Sequence, residues 1–310
     1  VQKGNNVSVN GEAPLSLTLD GKDHQSCQFL SKRAPDESHE FTWKEVTTTR
    51  GGELAEILGD QLRSVDSLVV KGYVNDKDFH AMWDASLYGY LSVINLKNAV
   101  LENNAVPDTA FFHENEQYEG SSHEIFYYIG LRKIILPEGL EKIGEGAFYQ
   151  ASALRQVNFP STLRYIGDFA FNATKLEMNQ LVIPEGVEEI NQYAFAFCRK
   201  LKAQVTLPST IKKIGEWAFY GCPITSINLP EGLESLGSLA FWDCDLREVS
   251  IPSSCHEFNE GWQFGFNRNL EKMHLPEGMT EIPDHFAVDC FRLREVNFPH
   301  TLKHIGEKEI

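Results

Sequence analysis

Eight prolines recur at intervals of 22 to 24 residues through the last 180 residues of this 310-residue chain. Each proline ends an apolar triplet that is typical of a strand and begins another copy of one motif, whose first copy spans 131–148. A fixed period in this range is typical of a solenoid, in which one supersecondary unit stacks on copies of itself. The period therefore predicts the architecture of 131–310, and it favours binding over catalysis. The prolines are Pro137, Pro160, Pro184, Pro208, Pro230, Pro252, Pro276 and Pro299.

The positions around each proline predict the path of one coil. The residues three and one before the proline are apolar in all eight copies, and a strand of period two points both inward. Two apolar residues that are three apart follow, such as Leu140 and Ile143, and this spacing predicts a helical or turn-like return path. An Ala-Phe pair such as Ala147-Phe148 completes the coil. Between them lies a corner predicted to need positive φ, occupied by Gly144, Gly167, Gly215, Gly237 and Gly306, and by Asn191 and Asn259.

The first 130 residues are less regular and are predicted to form two further parts. Segment 1–45 alternates apolar and polar residues around Asn10-Gly11, which predicts a β-rich segment with a hairpin. Segment 46–130 is predicted to be a degenerate capping region of the solenoid. Phe41 and Trp43 predict another strand at the end of segment 1–45. The predicted elements after it are a helix within 51–65, a strand at 68–70, an N-capped helix from Asp76 to Leu87, a strand from Leu91 to Leu96 and an acidic loop over 103–124.

The repeat resembles the BspA-type leucine-rich repeat, a proline-containing 23-residue class found in bacterial and protozoan surface proteins. The resemblance covers 131–310, with 66–130 as an N-terminal cap. It implies a leucine-rich-repeat solenoid, α/β but rich in strands, coiled right-handedly with a parallel sheet on its concave face and a small N-terminal β-rich cap. It also implies export to the cell surface or outer membrane, with a lipid anchor left open, and adhesion without catalysis. Phe264 and Phe286 depart from the motif by one residue, and Glu309-Ile310 replaces Ala-Phe, which predicts a polar end cap unless the chain is trimmed there.

Composition excludes several partners. The chain has 28 basic and 44 acidic residues, a net charge of −16 and an isoelectric point near 5.1. This balance argues against nucleic acid and against an anionic membrane surface, because both need a basic footprint. No run of 18 apolar residues predicts a membrane span. The chain begins at Val1, from which we expect a processed or trimmed N-terminus.

A second periodicity lies within the repeat. The two residues after each proline alternate between Glu-Gly and a pair of the Ser-Thr type, so the true period is two repeats. Two positions further on, acidic and basic residues also alternate, which keeps like charges from stacking about 5 Å apart. We interpret this series as a solvated ladder that sets the stacking register, with an adhesive surface as the functional alternative. This charged stripe is Glu141, Arg164, Glu188, Lys212, Glu234, His256, Thr280 and Lys303.

Motifs for catalysis or cofactor binding are absent from the sequence, so we expect no enzyme activity, cofactor or catalytic residue. The segment from His113 to Glu124 has donors for Zn²⁺ or Ca²⁺, but an acidic solvated loop is the better interpretation, and no metal is predicted. Trp217, Trp242 and Trp262 are candidate carbohydrate platforms, although such residues more often cover the outside of a coil. Four of the six cysteines, Cys198, Cys222, Cys244 and Cys255, occupy core positions, which predicts buried free thiols. Cys198, Cys222 and Cys244 lie at equivalent positions of successive coils, a cysteine ladder in which a disulfide between neighbours stays open.

With no catalytic or metal-binding motif, the candidate functional residues are those on the exposed side of the strands. The exposed strand positions are those two and four before each proline. Gln156, Gln180 and Gln204 follow one another at the second of these positions, which predicts an amide ladder. The leading hypothesis is an exported protein that binds an extracellular protein or glycan through this face, and the alternative is a spacer that displays the N-terminal segment. The oligomeric state stays open. The predicted binding residues are Lys133, Gln156, Asn158, Gln204, Thr206, Asn228, Ser250, His274 and Asn297.

Overall fold

The computed structural model describes residues 18–19, 22–23, 39–112 and 129–307. Within these ranges the chain forms a solenoid of parallel strands and turns with little helix, as the repeat period predicts. The predicted hairpin at Asn10-Gly11, the segment from His113 to Glu124, Cys27 and the predicted end cap at Glu309-Ile310 lie outside the described residues.

The strands predicted before each proline are present, and we call them the pre-proline strands. They form two three-stranded parallel sheets, β11-β13-β15 and β17-β19-β21, while β7 and β9 complete a five-stranded sheet with the N-terminal strands. Their inward residues, such as Ile134 and Val249, are buried, and one residue separates each three-residue strand from its proline. The strands are β7 Lys133–Ile135, β9 Gln156–Val157, β11 Gln180–Val182, β13 Gln204–Thr206, β15 Ser226–Asn228, β17 Glu248–Ser250, β19 Lys272–His274 and β21 Glu295–Asn297.

The predicted return path is turn-like rather than helical, and within it lies a second column of two-residue strands that the spacing does not predict. We call them the post-proline strands, and the name includes β6, which takes the same place in its coil although Pro107 follows it. Seven of them form one parallel sheet, β6-β8-β10-β12-β14-β16-β18, and β20 pairs with β22. Each is only two residues long, so its hydrogen bonds come entirely from neighbouring coils. They are β6 Ala105–Val106, β8 Lys142–Ile143, β10 Tyr165–Ile166, β12 Glu189–Ile190, β14 Lys213–Ile214, β16 Ser235–Leu236, β18 Glu257–Phe258, β20 Glu281–Ile282 and β22 His304–Ile305.

The N-terminal region alternates strands and helices, and its strands continue the pre-proline sheet in parallel. Helix α2 begins with a capping box, in which Asn75 accepts from a backbone N–H and Asp78 returns the bond, so the predicted cap at this helix is confirmed. Ile57, at a position spaced for the core, is 49% exposed. The elements are β1 Thr18–Leu19 and β2 Lys22–Asp23, an antiparallel pair, then β3 Trp43–Thr48, α1 Leu54–Leu58, a 3₁₀ helix Gly59–Arg63, β4 Ser67–Val74, α2 Asp76–Tyr88, β5 Val93–Leu101 and a 3₁₀ helix Glu102–Asn104.

A column of phenylalanine rings forms the centre of the core. Successive rings from Phe111 to Phe264 stack with centroids 5.2 to 5.6 Å apart and planes within 11° of parallel. The column ends at Phe286, which meets Phe264 edge-to-face at 73°. The change of geometry follows from the sequence, because Phe286 holds the position that alanine takes in the Ala-Phe pairs, and Ala287 holds that of the phenylalanine.

The corner glycines do not have positive φ, so that prediction is wrong. A Cβ at Gly237 would lie 2.4 Å from the amide nitrogen of Glu216 and 2.5 Å from the carbonyl carbon of Gly215 in the preceding coil. These positions are glycine because neighbouring backbones approach closely there. The left-handed conformation falls instead on the residue before Ala-Phe, including Phe169, Tyr193 and Trp217 with φ of 55–57°.

Hydrogen bonds between coils explain the two-repeat period. The Glu138 carboxylate accepts from the amide and hydroxyl of Ser161, at 3.1 and 2.9 Å. The amide of Gly139 donates to the hydroxyl of Thr162, which donates in turn to the carbonyl of Leu140. We call this four-residue arrangement the clamp. It recurs with Glu185, Gly186, Ser209 and Thr210, with Glu231, Gly232, Ser253 and Ser254, and with Glu277, Gly278, His300 and Thr301.

The charged stripe is not the ladder that we predict from its alternation. Over 39–112 and 129–307, a single ion pair joins two of its members, Lys212 Nζ and Glu234 Oε1 at 3.2 Å. Arg164 donates instead to backbone carbonyls, including that of Glu185 at 3.0 Å. The clamps, rather than ion pairs within the charged stripe, therefore hold each Glu-Gly coil in register with the Ser-Thr coil that follows it.

Candidate binding surfaces

All nine predicted binding residues are exposed or half-buried, as their places on the pre-proline strands require. They do not form one continuous sheet, because hydrogen bonding is interrupted between β9 and β11 and between β15 and β17. The side chain of Asn158 is already bonded within the fold: it accepts from the N–H of Leu136 at 2.7 Å and donates to the carbonyl of Leu136 at 3.0 Å.

The face of the middle sheet, which we call the central face, consists of the outward side chains of β11, β13 and β15. Two rows cross it in register, Gln180 beside Gln204 and Ser226, and Val182 beside Thr206 and Asn228. All six are exposed, and Val182 retains 53% of its surface. The five polar ones make no side-chain hydrogen bond to any described residue, so the predicted amide ladder does not form there.

Four of the six outward residues of β17, β19 and β21 form ion pairs with one another, and Ser250 and Asn297 do not. Lys272 Nζ lies 3.1 Å from Glu295 Oε2, and His274 Nε2 lies 3.3 Å from Glu248 Oε1. Binding through these side chains requires a partner to replace those contacts, whereas the central face has none to replace.

The surface aromatic residues stack on one another, which limits them as carbohydrate platforms. Tyr193 lies between Phe169 and Trp217, with ring centroids 4.7 and 5.2 Å away and planes within 15° of parallel. Trp262 stacks on His285 at 3.8 Å. Both faces of Tyr193 and one face each of Trp217 and Trp262 are therefore occupied by residues of neighbouring coils. A sugar stacks on a ring face, so these positions fit the structural interpretation.

A polar groove of about 270 Å³ runs beside the post-proline strands, and the sequence did not single it out. Asp168 and Glu216, which follow the corner positions of their coils, line it, as do Glu189 and Lys213, whose Oε1 and Nζ atoms are 2.7 Å apart. The sequence does contain one signal for this groove, which is an acidic residue directly after most corner positions. The complete lining is Asp168, Glu189, Asn191, Gln192, Lys213, Gly215, Glu216 and Asn259.

The described cysteines are structural. All five are free and buried, as predicted for the four assigned to the core. Four of the thiols, all but that of Cys255, donate to the carbonyl of a phenylalanine one coil earlier, for example Cys222 to Phe195 at 2.8 Å and Cys290 to Phe264 at 3.2 Å. Burial raises the pKa of the Cys222 thiol, and it raises the pKa of Cys255 and Cys290 to about 12. Such thiols are poor nucleophiles because the thiolate is scarce.

Two further features bear on function within the described residues. No group of three histidine, cysteine, aspartate or glutamate side chains is arranged to hold a metal ion. None of the helices there is long and apolar enough to cross a membrane.

Comparison with known families identifies the repeat. A family model described as a BspA-type leucine-rich repeat region matches residues 121–204 and 203–309, which is more than half of the chain. No curated protein matches in sequence.

Three solved structures are similar in fold. A leucine-rich repeat protein from Bacteroides ovatus is 18% identical over 79% of this chain and 75% of its own, with a TM-score of 0.48. The leucine-rich repeat protein of T. pallidum is 25% identical over 56% and 72%, with a TM-score of 0.42. The pneumococcal vaccine antigen PcpA is 16% identical over 78% and 74%, with a TM-score of 0.39. The family assignment rests on the repeat match rather than on these structures.

Proposed function

Because the chain belongs to the BspA-type leucine-rich repeat family, we propose that it is a non-catalytic, exported binding protein. It recognises an extracellular protein or glycan through the outward face of its pre-proline strands. The predicted set of nine residues is the proposed binding surface, and the central face is its middle.

The uncommitted side chains of the central face carry this proposal. Gln204, Thr206 and Asn228 are exposed and have no hydrogen-bonding partner among the described residues. Several outward polar groups of the neighbouring sheets are already bonded, such as Asn158 to Leu136 and Lys272 to Glu295. A partner that bonds the free amides and hydroxyls displaces water alone and breaks no internal contact.

The side chains of the central face indicate what kind of partner it can bind. None of its six side chains is charged, and Val182 supplies a small apolar patch among amides and hydroxyls. Recognition there rests on hydrogen bonds and shape, which suits sugar hydroxyls or the backbone and polar side chains of a protein loop. The charge of −16 disfavours an acidic partner at low salt.

Binding of the whole chain to arrays of glycans and extracellular-matrix proteins tests the proposal. We expect Thr206→Arg with Asn228→Arg to abolish the binding of any ligand found, because two long cations then cover the central face. Arg164→Ala with Lys212→Ala, on the charged stripe, is the control and is expected to leave affinity within about tenfold, or ~1.4 kcal/mol. Loss of binding in the control pair together with retention in the first pair would show that the site is misplaced.

The alternative function, a spacer that displays the N-terminal segment, gives the opposite array result. In that case removal of residues 1–38 abolishes binding, while the central-face pair has no effect. Export to the cell surface or outer membrane is tested separately, by protease treatment of intact cells that express the chain. We expect cleavage without lysis, and protection until lysis would contradict export.

A further inference from the structure

We propose that the ligand of this protein is a neutral linear glycan, and that Trp43 is a platform on which one of its sugar rings stacks. The inference rests on the function proposed above and deepens it, because it chooses a glycan over a protein and adds a contact outside the nine predicted binding residues. Two observations carry it: the exposed ring of Trp43, and the row of side chains that leads from this ring towards the central face.

Trp43 is an exposed tryptophan without a stacking partner. It begins β3, the outer strand of the five-stranded sheet, and 64% of its surface is accessible to solvent. Tyr193 and Trp217 are covered by rings of neighbouring coils, whereas no ring of the described chain stacks on Trp43. One side of a sugar ring presents apolar C–H groups, which are removed from water when they pack on an indole face. Trp43 therefore offers the ring face that the stacked aromatic residues lack.

Trp43 stands at the end of a row that crosses the whole five-stranded sheet. The strand register places it beside Ser67, which lies beside Val93, then Lys133 and finally Gln156. All five are exposed or half-buried on the outward side of the sheet. Over 39–112 and 129–307, the side chains of Ser67, Lys133 and Gln156 form neither a hydrogen bond nor an ion pair. We call these five residues the Trp43 row.

The Trp43 row supplies the contacts that a linear glycan needs. Trp43 and Val93 can pack against the C–H groups of sugar rings, while Ser67, Lys133 and Gln156 can bond sugar hydroxyls. Neighbouring strands are about 4.8 Å apart, so the row is about 19 Å long. One unit of a linear glycan is about as long as one strand spacing, so a chain laid across the strands meets one member of the row per unit. With one charge among five side chains, the row fits a ligand held by hydrogen bonds and ring stacking rather than by ion pairs.

The Trp43 row leads to the central face. Its last two members, Lys133 and Gln156, stand four residues before their prolines. The same place in the next three coils, on the central face, is held by Gln180, Gln204 and Ser226. From β3 to β15 is seven strand spacings, or about 34 Å. A glycan of about seven units therefore reaches from Trp43 across the central face, and we expect affinity to rise with chain length up to that size.

An array of neutral linear oligosaccharides of glucose, mannose, xylose and N-acetylglucosamine, two to eight units long, tests the inference with the full chain. We expect at least one eight-unit chain to bind, and the four-unit chain of the same sugar to bind at least about tenfold more weakly in isothermal titration calorimetry. Trp43→Ala removes the ring and is expected to lower affinity for the eight-unit chain by at least about tenfold. Trp43→Phe keeps a ring face and is expected to lower it by less than about threefold.

The matched control is Phe291→Ala, which removes another exposed aromatic ring, near the C-terminal end of the solenoid. It is expected to leave affinity within about twofold. A loss equal to that of Trp43→Ala would show general adhesion to exposed aromatic residues and overturn the inference. Thermal melts confirm that each variant is folded.

Further outcomes separate the inference from the proposed function. If Thr206→Arg with Asn228→Arg abolishes glycan binding and Trp43→Ala does not, the proposed function stands and the platform is overturned. The same result follows if the chain binds extracellular-matrix proteins but no neutral glycan. Binding of neither class overturns both.

Discussion

The amide of Gly186 donates to the hydroxyl oxygen of Thr210 at 2.9 Å, and the same hydroxyl donates to the carbonyl of Val187 at 2.9 Å. One hydroxyl thus satisfies a donor and an acceptor of the coil 24 residues earlier. The amide it receives belongs to a glycine with φ of 96°, which turns that N–H towards the next coil. This explains why the glycine of one repeat is followed by a serine or threonine in the next.

Replacing Thr210 with valine tests the clamp. Valine preserves the shape of the side chain but leaves the Gly186 amide and the Val187 carbonyl without their partner. We expect a loss of about 1–2 kcal/mol in the free energy of unfolding, measured by urea denaturation. Thr206→Val, at an exposed site with no internal bond in the described chain, is the control and is expected to cost under ~0.5 kcal/mol. Equal effects of the two changes would mean that the clamp does not stabilise the fold.

Removing one ring from the phenylalanine column should lower the free energy of unfolding by a large amount. Phe219 is fully buried between Phe195 and Phe241, so Phe219→Ala leaves a cavity and is expected to cost about 3–5 kcal/mol. Glu188→Ala, in the charged stripe, is expected to cost under ~1 kcal/mol. Chemical denaturation of both variants measures the difference, and similar losses would contradict the assigned core.

Two glycines that serve different purposes should respond differently to alanine. Gly237→Ala drives a Cβ to 2.4 Å from a backbone nitrogen, so coils must separate, and we expect a loss of about 2–3 kcal/mol. Gly139 has φ of 96° and open space around it, so Gly139→Ala adds backbone strain alone, about 1 kcal/mol. Gly139→Asn should recover part of that loss, whereas Gly237→Asn should not. A smaller effect at Gly237 than at Gly139 would contradict the close approach.

Glu53 predicts an acid-dependent term in stability. Hydrogen bonds from the backbone amides of Thr49 and Arg50, at 2.6 and 3.1 Å, lower the pKa of this carboxyl to about 2 from an ordinary value of 4.5. Because the folded pKa is depressed, the stabilisation is complete above pH 4.5 and is lost as pH falls from there towards 2. NMR titration of the carboxyl carbon measures the shift directly, and Glu53→Gln should remove this part of the pH dependence. A midpoint near 4.5 would refute the assignment.

The buried cysteine thiols should react slowly with thiol-labelling reagents. In a chain with Cys27→Ser, the five described cysteines remain, and burial raises the pKa of Cys255 and Cys290 to about 12. We expect an aromatic disulfide reagent at pH 8 to label less than about one thiol in the native chain and five in denaturant. Rapid native labelling of Cys222 or Cys244 would show that the ladder opens locally.

The sequence predicts the pre-proline strands well because their signals are local. The alternation of Ile134 and Leu136 and the missing N–H of Pro137 need no knowledge of neighbouring coils. The strand Lys142–Ile143 was missed because two residues have no period of their own, and its hydrogen bonds all come from other coils.

Corners and binding surfaces depend on contacts between coils and are predicted less well. Glycine at position 237 suggests positive φ in isolation, but the cause is the backbone of Glu216, and the left-handed residue is an aromatic one such as Trp217. The strand period places Asn158 and Asn228 correctly on the outside. Only the structure reveals that Asn158 bonds Leu136 while Asn228 has no bond to a described residue.

The clamps also determine how the solenoid gives way under tension. Bonds between a Glu-Gly coil and the Ser-Thr coil that follows it tie coils two by two, whereas the contact from a Ser-Thr coil to the next Glu-Gly coil lacks a clamp. A chain pulled from one end in an optical trap should lengthen in steps of two coils. Pro184 to Pro230 is 46 residues, so each step releases about 160 Å of extended chain. The extension of the solenoid under load therefore increases in discrete steps, each of which unfolds two coils together.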